Sequence, residues 1–124
     1  MIKPGILGNR GEKLALKYLK HQGLRLFEKN YHCRYGEIDL IMWDNDYLVF
    51  VEVRYRKNAD FGGAISSINQ NKQDKLRRSA EDYLIRTKNN ATPCRFDILC
   101  LNGDLSKPES VSYTHLTLPT ILLV

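Results

Sequence analysis

Three carboxylates interrupt a stretch that otherwise has the makings of a buried hairpin. In "GEIDLIMWDNDYLVFVEVRYR", residues 36–56, Glu37, Asp39 and Glu52 sit within two apolar runs joined by the polar turn Asp44, Asn45 and Asp46. A buried carboxylate is costly unless something pairs with it. Strand alternation places Glu37, Asp39, Ile41 and Trp43 on one face and Ile38, Leu40 and Met42 on the other. On the second arm Leu48, Phe50, Glu52 and Arg54 share a face. With a four-residue turn over 44–47, the numbers of opposed residues sum to 91, so Asp39 meets Glu52, Ile41 meets Phe50 and Glu37 meets Arg54. Opposed side chains lie about 4.5–5.5 Å apart at Cβ, where like charges repel. A divalent cation converts that repulsion into ligation, and Mg2+ suits one or two carboxylates completed by water and substrate phosphates. Two other arrangements stay open. A one-residue slip would send Asp39 and Glu52 to opposite faces. Alternatively Glu37 pairs with Arg54, Asp39 caps a turn, and Glu52 faces solvent on an edge strand.

The elements around the hairpin follow from periodicity. Leu7, Gly11, Leu14, Ala15, Tyr18 and Leu19 recur at helical spacing, which predicts a helix over 9–22 with Asn9 as N-cap and Gly23 as its stop. "LRLFEK", 24–29, reads as a strand, followed by a turn near Asn30. "KNADFGGAI" has no periodicity and reads as a loop. Ser66 or Ser67 then caps a second helix, running to about residue 87, with Ile68, Lys72, Leu76, Ala80, Tyr83 and Leu84 on one face. "CRFDILCL", 94–101, reads as a further strand. The tail, 106–124, is rich in Thr and Leu and poor in charge. It resembles translated sequencing-adapter read-through, so the domain is expected over 1–105, with 106–124 set apart from fold reasoning; the alternative is a genuine, poorly packed apolar terminus.

Composition narrows the function. A chain of 124 residues, 43% hydrophobic and 27% charged, makes one domain and has no apolar run of the roughly 20 residues needed to span a bilayer. "MIKPGILGNRGEK" lacks the apolar core of a signal peptide, so export is not expected. Cys33, Cys94 and Cys100 are odd in number and without C-x-x-C spacing, which argues against a disulfide framework or zinc cage and suits a reducing cytoplasm. His21, His32 and His115 share no ligand spacing and read as surface residues. A net charge of +5 biases the surface toward polyanions such as nucleic acid. Arg54, Arg56 and Lys57 beside Tyr55, with Lys72 and Lys75 on the second helix, suit phosphate contact with occasional base stacking. Basic helix flanks are also ordinary solvated surface, the reading that fits Arg77, Arg78 and Arg86 individually. P-loop, Rossmann and nucleophilic-triad patterns are absent, as are helix-turn-helix, RRM and zinc-finger ones.

Asp39 followed by Glu52-Val53-Arg54 resembles the D…E-x-K signature of the restriction-endonuclease-like superfamily, which includes archaeal Holliday-junction resolvases. More closely, "GNRGE" (8–12), "GEIDLI" (36–41), "LVFVEVRYR" (48–56), Lys72 and "RFD" (95–97) together resemble the YraN family of bacterial proteins, over about residues 5–105. The resemblance implies an α/β fold, a mixed central β-sheet flanked by helices, with Asp39 and Glu52 as ligands of Mg2+ or Mn2+. Glu12 matches the acidic residue that related resolvases bring to the same metal. The superfamily's final position is usually Lys, thought to position or deprotonate the attacking water. Here it is Arg54, which stays protonated and can steady transition-state charge but not act as base. Lys72 then either supplies the amine or is a lysine snorkelling at the core's edge.

The expected function is a cytoplasmic metal-dependent endonuclease acting on DNA, branched or structured DNA favoured. One alternative is an inactive nuclease-like module that binds nucleic acid or a protein partner; another is a regulatory subunit of a repair or processing complex. Related resolvases are dimers because a four-way junction presents two symmetric scissile strands, so a homodimer is implied by the resemblance alone.

Overall fold

The structure is a computed structural model describing residues 5–56, 69–89, 91–102 and 111–116, apart from the side chains of residues 5–9, 56, 102, 112 and 116. The elements are α1 (Gly5–His21), β1 (Arg25–Cys33), β2 (Gly36–Asp44), β3 (Tyr47–Arg56), α2 (Gln70–Arg86), β4 (Cys94–Asn102) and β5 (Val111–Leu116). They form an α/β fold: one five-stranded sheet in the order β1-β2-β3-β4-β5, with a helix on each face. β3 and β4 are parallel and every other pair is antiparallel, so the sheet is mixed. A parallel pair needs a long crossover, and α2 lies within it.

The central strand explains the two-sided core. Leu48 to Val51 are all buried, as a strand covered on both faces requires. Leu48 and Phe50 join Ile38, Ile41 and Phe96 beneath Leu76, Ala80, Tyr83 and Leu84 of α2. Val49 and Val51 join Leu40, Met42, Leu99 and Leu101 beneath Ala15 and Leu19 of α1.

Helix ends differ from expectation at two places. α1 begins at Gly5, so Asn9 is interior and not its N-cap; Asn costs only about 0.7 kcal/mol inside a helix, too little to halt one that packs well. Its stop at Gly23 agrees with the sequence. Gly23 has φ +96°, and the N–H groups of Gly23 and Leu24 donate to the carbonyls of Lys20 and Leu19, a Schellman closure. The cap of α2 is Asn69, whose side chain accepts the Lys72 N–H at 2.9 Å. Ser66, Ser67, Ile68 and the "KNADFGGAI" loop lie outside the described residues.

β1 corrects the expected turn near Asn30. Asn30 does take a left-handed φ of +55°, yet the chain stays paired on both sides of it, Lys29 with Leu40 and Tyr31 with Ile38. The reversal comes four residues later at Arg34–Tyr35, and a bulge near Phe27 marks the strand's other half. β5 lies in the tail set apart above and pairs with β4 as an edge strand.

α2 is fastened to β1 by aromatic and polar contacts. The buried Tyr83 ring meets Phe27, Tyr31 and Phe50 edge-on, and Tyr31 donates its hydroxyl hydrogen to Asp82 at 2.5 Å. Burial, and then the hydrogen bond to and charge of Asp82, push the Tyr31 hydroxyl up to about 12. A raised folded value means stability that is complete below the unfolded tyrosine value, about 10, and lost as pH rises through the folded one. Tyr31→Phe is therefore expected to flatten the fall in stability between about pH 10 and 12, measured by urea unfolding; an unchanged alkaline limb would remove Tyr31 from that role.

Candidate active site

The hairpin of β2 and β3 has the expected register. Trp43 pairs with Leu48, Ile41 with Phe50 and Leu40 with Val51, all summing to 91. The turn itself is only Asn45–Asp46, because Asp44 and Tyr47 are already paired; Asn45 accommodates it at φ +55°. The one-residue slip is thereby excluded.

The pairing between β2 and β3 runs as far as Leu40 and Val51. At the next step the Asp39 carboxylate, not its backbone, meets β3, accepting the Val53 N–H at 2.8 Å. Strict alternation also fails here. Ile38 and Ile41 both pack on the α2 side, while Leu40 packs on the α1 side. Asp39 thus sits at a local break where the two strands part, a place where a carboxylate can satisfy a donor the ladder leaves over.

Glu52 follows the expected pattern. It is buried on a central strand, which rules out the solvent-facing edge position, and it shares with Arg54 the face toward α2. Lys72 Nζ, from the first turn of α2, lies 3.4 Å from Glu52 Oε2, and Arg54 Nε lies 3.6 Å from the same oxygen. Burial, and then the charge of Asp39, raise the Glu52 carboxyl above its ordinary value; Lys72 and Arg54 pull the other way without cancelling this. Asp39, Glu52, Arg54 and Lys72 therefore form one electrostatic unit.

The remaining residues are placed as follows. Glu37 is exposed and pairs with His32 at 3.6 Å, in place of Arg54. Glu12 is half-buried on α1, beside Gly11, where an added Cβ would stand 3.2 Å from Leu101 at the far end of β4. That end of β4 runs alongside Arg54 and Tyr55, so Glu12 belongs to the same end of the sheet, but its helix packs on the face away from Glu52. Among the described residues no group of three or more His, Cys, Asp or Glu side chains is gathered to hold a metal ion. Lys75 is exposed on α2. The side chain of Arg56, and Lys57 altogether, lie outside the described residues.

One polar cluster escaped the sequence reading. Asp97, fully buried, receives Arg95 Nε at 3.1 Å, and Arg95 Nη1 reaches Asp44 at 2.9 Å. Tyr113 donates to Asp97, and His115 Nδ1 lies 2.9 Å from it. The clasp ties β2, β4 and β5 together. Its only sequence signal is the "RFD" block, a charge pair inside a strand otherwise built of hydrocarbon.

The fold defines the class: a mixed α/β sheet between helices, consistent with a nuclease-like domain. A family model described as "Uncharacterised protein family UPF0102" matches residues 11–101. Similar proteins include a UPF0102 protein of Psychromonas ingrahamii, 54% identical over 82% of each chain. Another, from Colwellia psychrerythraea, is 49% identical over 82% of this chain and 81% of its own. A third, from Legionella pneumophila, is 48% identical over 81% and 86%. The chain belongs to UPF0102, the YraN family.

Among the described residues no helix is long and apolar enough to cross a membrane.

Proposed function

We propose that the protein binds DNA in the cytoplasm, branched or otherwise structured DNA in particular, and hydrolyses its phosphodiesters with Mg2+ or Mn2+. The observation that carries this reading is the buried Glu52 beside Asp39, held against Lys72 and Arg54 at the point where β2 and β3 part. The donor set fits the group: hard carboxylate oxygens, too few for an all-protein cage, as Mg2+ tolerates when water and phosphate complete its shell. Asp39 and Glu52 would hold the cation, with Glu12 at the same end of the sheet on its other face. When bound, the ion supplies charge neutralisation and an activated water. Arg54 steadies charge on the phosphoryl oxygens, and Lys72 places an amine beside Glu52. Lys75, exposed on α2, together with Arg56 and Lys57 of the sequence's basic run, would contact the nucleic-acid backbone. A homodimer would suit a symmetric junction.

A specific observation favours a second reading. Arg54 stands at the usual lysine position, and two cations already neutralise Glu52, as befits a module that grips nucleic acid without cutting it.

Labelled single-stranded, duplex, flap and four-way-junction DNA, each incubated with the protein and Mg2+ or Mn2+, tests the proposal. Chelator-sensitive cleavage of a branched substrate is expected. Binding without cleavage would replace it by the second reading, and neither binding nor cleavage would overturn both.

A further inference from the structure

Glu52 Oε2 is where the charges of the site converge. Lys72 Nζ and Arg54 Nε both approach this one oxygen, at 3.4 and 3.6 Å. The second distance exceeds hydrogen-bond reach, and Arg54 Nε is buried with no hydrogen-bond partner. The guanidinium is thus attracted to Glu52 but incompletely satisfied there, and a buried donor in that condition favours a better acceptor.

Lys72 is the partner able to leave. Its side chain is 34% exposed against 9% for Glu52, on a flexible four-carbon stem, and its backbone is held separately by the Asn69 cap.

Asp39 and Glu52 are two acids and Arg54 and Lys72 two bases, so the four side chains balance in charge. A divalent cation bound alone would leave two positive charges uncompensated beside an ammonium and a guanidinium. A phosphodiester bound alone would face two carboxylates. Bound together, each offsets the other, and the phosphate oxygens give Lys72 and Arg54 a new acceptor.

Resting on the nuclease-like reading above, we infer that Lys72 and Arg54 make uptake of the cation and of the nucleic-acid phosphate mutually dependent: both hold Glu52 in the free protein and exchange it for the phosphodiester. Linkage makes the effect reciprocal, each ligand tightening the other by the same factor.

Free Mn2+, counted by its electron paramagnetic resonance signal, gives the affinity of the full chain with and without phosphorothioate four-way-junction DNA, the DNA alone being subtracted. The parent is expected to bind Mn2+ more tightly with DNA, on the order of ten-fold, within the usual range of coupling between sites. Lys72→Met is expected to bind Mn2+ more tightly without DNA, by a similar factor, and to lose most of the coupling. Lys72→Arg keeps the charge and is expected to keep the coupling between Mn2+ and DNA. Circular dichroism establishes that each variant folds. Equal Mn2+ affinity in the parent and Lys72→Met, or a parent indifferent to DNA, overturns the inference while leaving the nuclease-like reading standing. If adding Asp39→Asn to Lys72→Met leaves its Mn2+ affinity intact, the carboxylate pair is not the cation's site, and the reading beneath the inference falls with it.

Discussion

Glu52→Gln is expected to abolish metal-dependent cleavage, by about 10²–10³-fold or more in kcat/KM, while making the metal-free protein more stable. The two effects share one cause. Glu52 is buried beside another carboxylate, and burial and that neighbouring charge both raise its carboxyl above the ordinary value. A carboxyl whose folded value is raised contributes stability that is complete below its unfolded value and lost as pH rises through the folded one. In chelator, the parent should therefore lose stability as pH rises above the ordinary glutamic-acid value. The amide, neutral throughout, should flatten that limb and melt higher at pH 7, by roughly 4 °C for each kcal/mol of strain relieved. Mg2+ should raise the melting temperature of the parent and not that of the amide. Asp39→Asn should lose cleavage to the same extent. Asp39→Ala, by contrast, leaves the Val53 N–H without its acceptor, a loss of about 1–3 kcal/mol, and should melt lower. Differential scanning fluorimetry in chelator and in Mg2+, beside single-turnover cleavage, reads all of this. Parental cleavage by Glu52→Gln would remove the carboxylate pair from the chemistry.

How far this site was legible follows from which rules its residues obey. The register was legible because turn and apolar pattern agree: Asn45 permits a tight reversal, and Ile41, Phe50, Trp43 and Leu48 then face one another. The position of Ile38 was not, because the face swap at Asp39 depends on a side chain taking a backbone donor fourteen positions away, |i−j| = 14. Asn30 misled for a related reason. Its left-handed φ is real, but a single left-handed residue bends a strand as readily as it ends one, and only pairing with β2 decides which. The proximity of Lys72 to Glu52 had a trace in the sequence, as a charge on an apolar helical stripe, yet only the crossover from β3 through α2 brings the two within 3.4 Å. Glu12 shows the opposite limit. Its helix was legible, but the sheet face against which that helix packs is fixed by Ala15 and Leu19 meeting Leu40, Met42, Val49 and Val51, a tertiary choice that one helix's periodicity does not contain.

Lys72→Met should slow cleavage by about 10²-fold or more even though the same change is expected to tighten Mn2+ binding in the absence of DNA. The chemical argument turns on which side chain can lose a proton. Arg54 cannot, so on the proposed nuclease-like reading the amine that the described residues place beside the carboxylates is Lys72, 3.4 Å from Glu52. If that amine positions or deprotonates the attacking water, Lys72→Arg must fail to restore the rate, although it restores the charge. Arg54→Lys in the Lys72→Met background must recover at least about ten-fold, because it returns an amine to the strand. Single-turnover rates on a branched substrate separate these variants: the parent and the recovered double variant should both cleave faster than Lys72→Arg. A lysine that merely covers the edge of the core would give a different result, with Lys72→Met and Lys72→Arg both cleaving as the parent does. Tighter metal with slower chemistry is the combination that only a displaced, then reused, ammonium produces. A purely repulsive Lys72 would make the methionine variant faster, and a purely structural one would move neither readout.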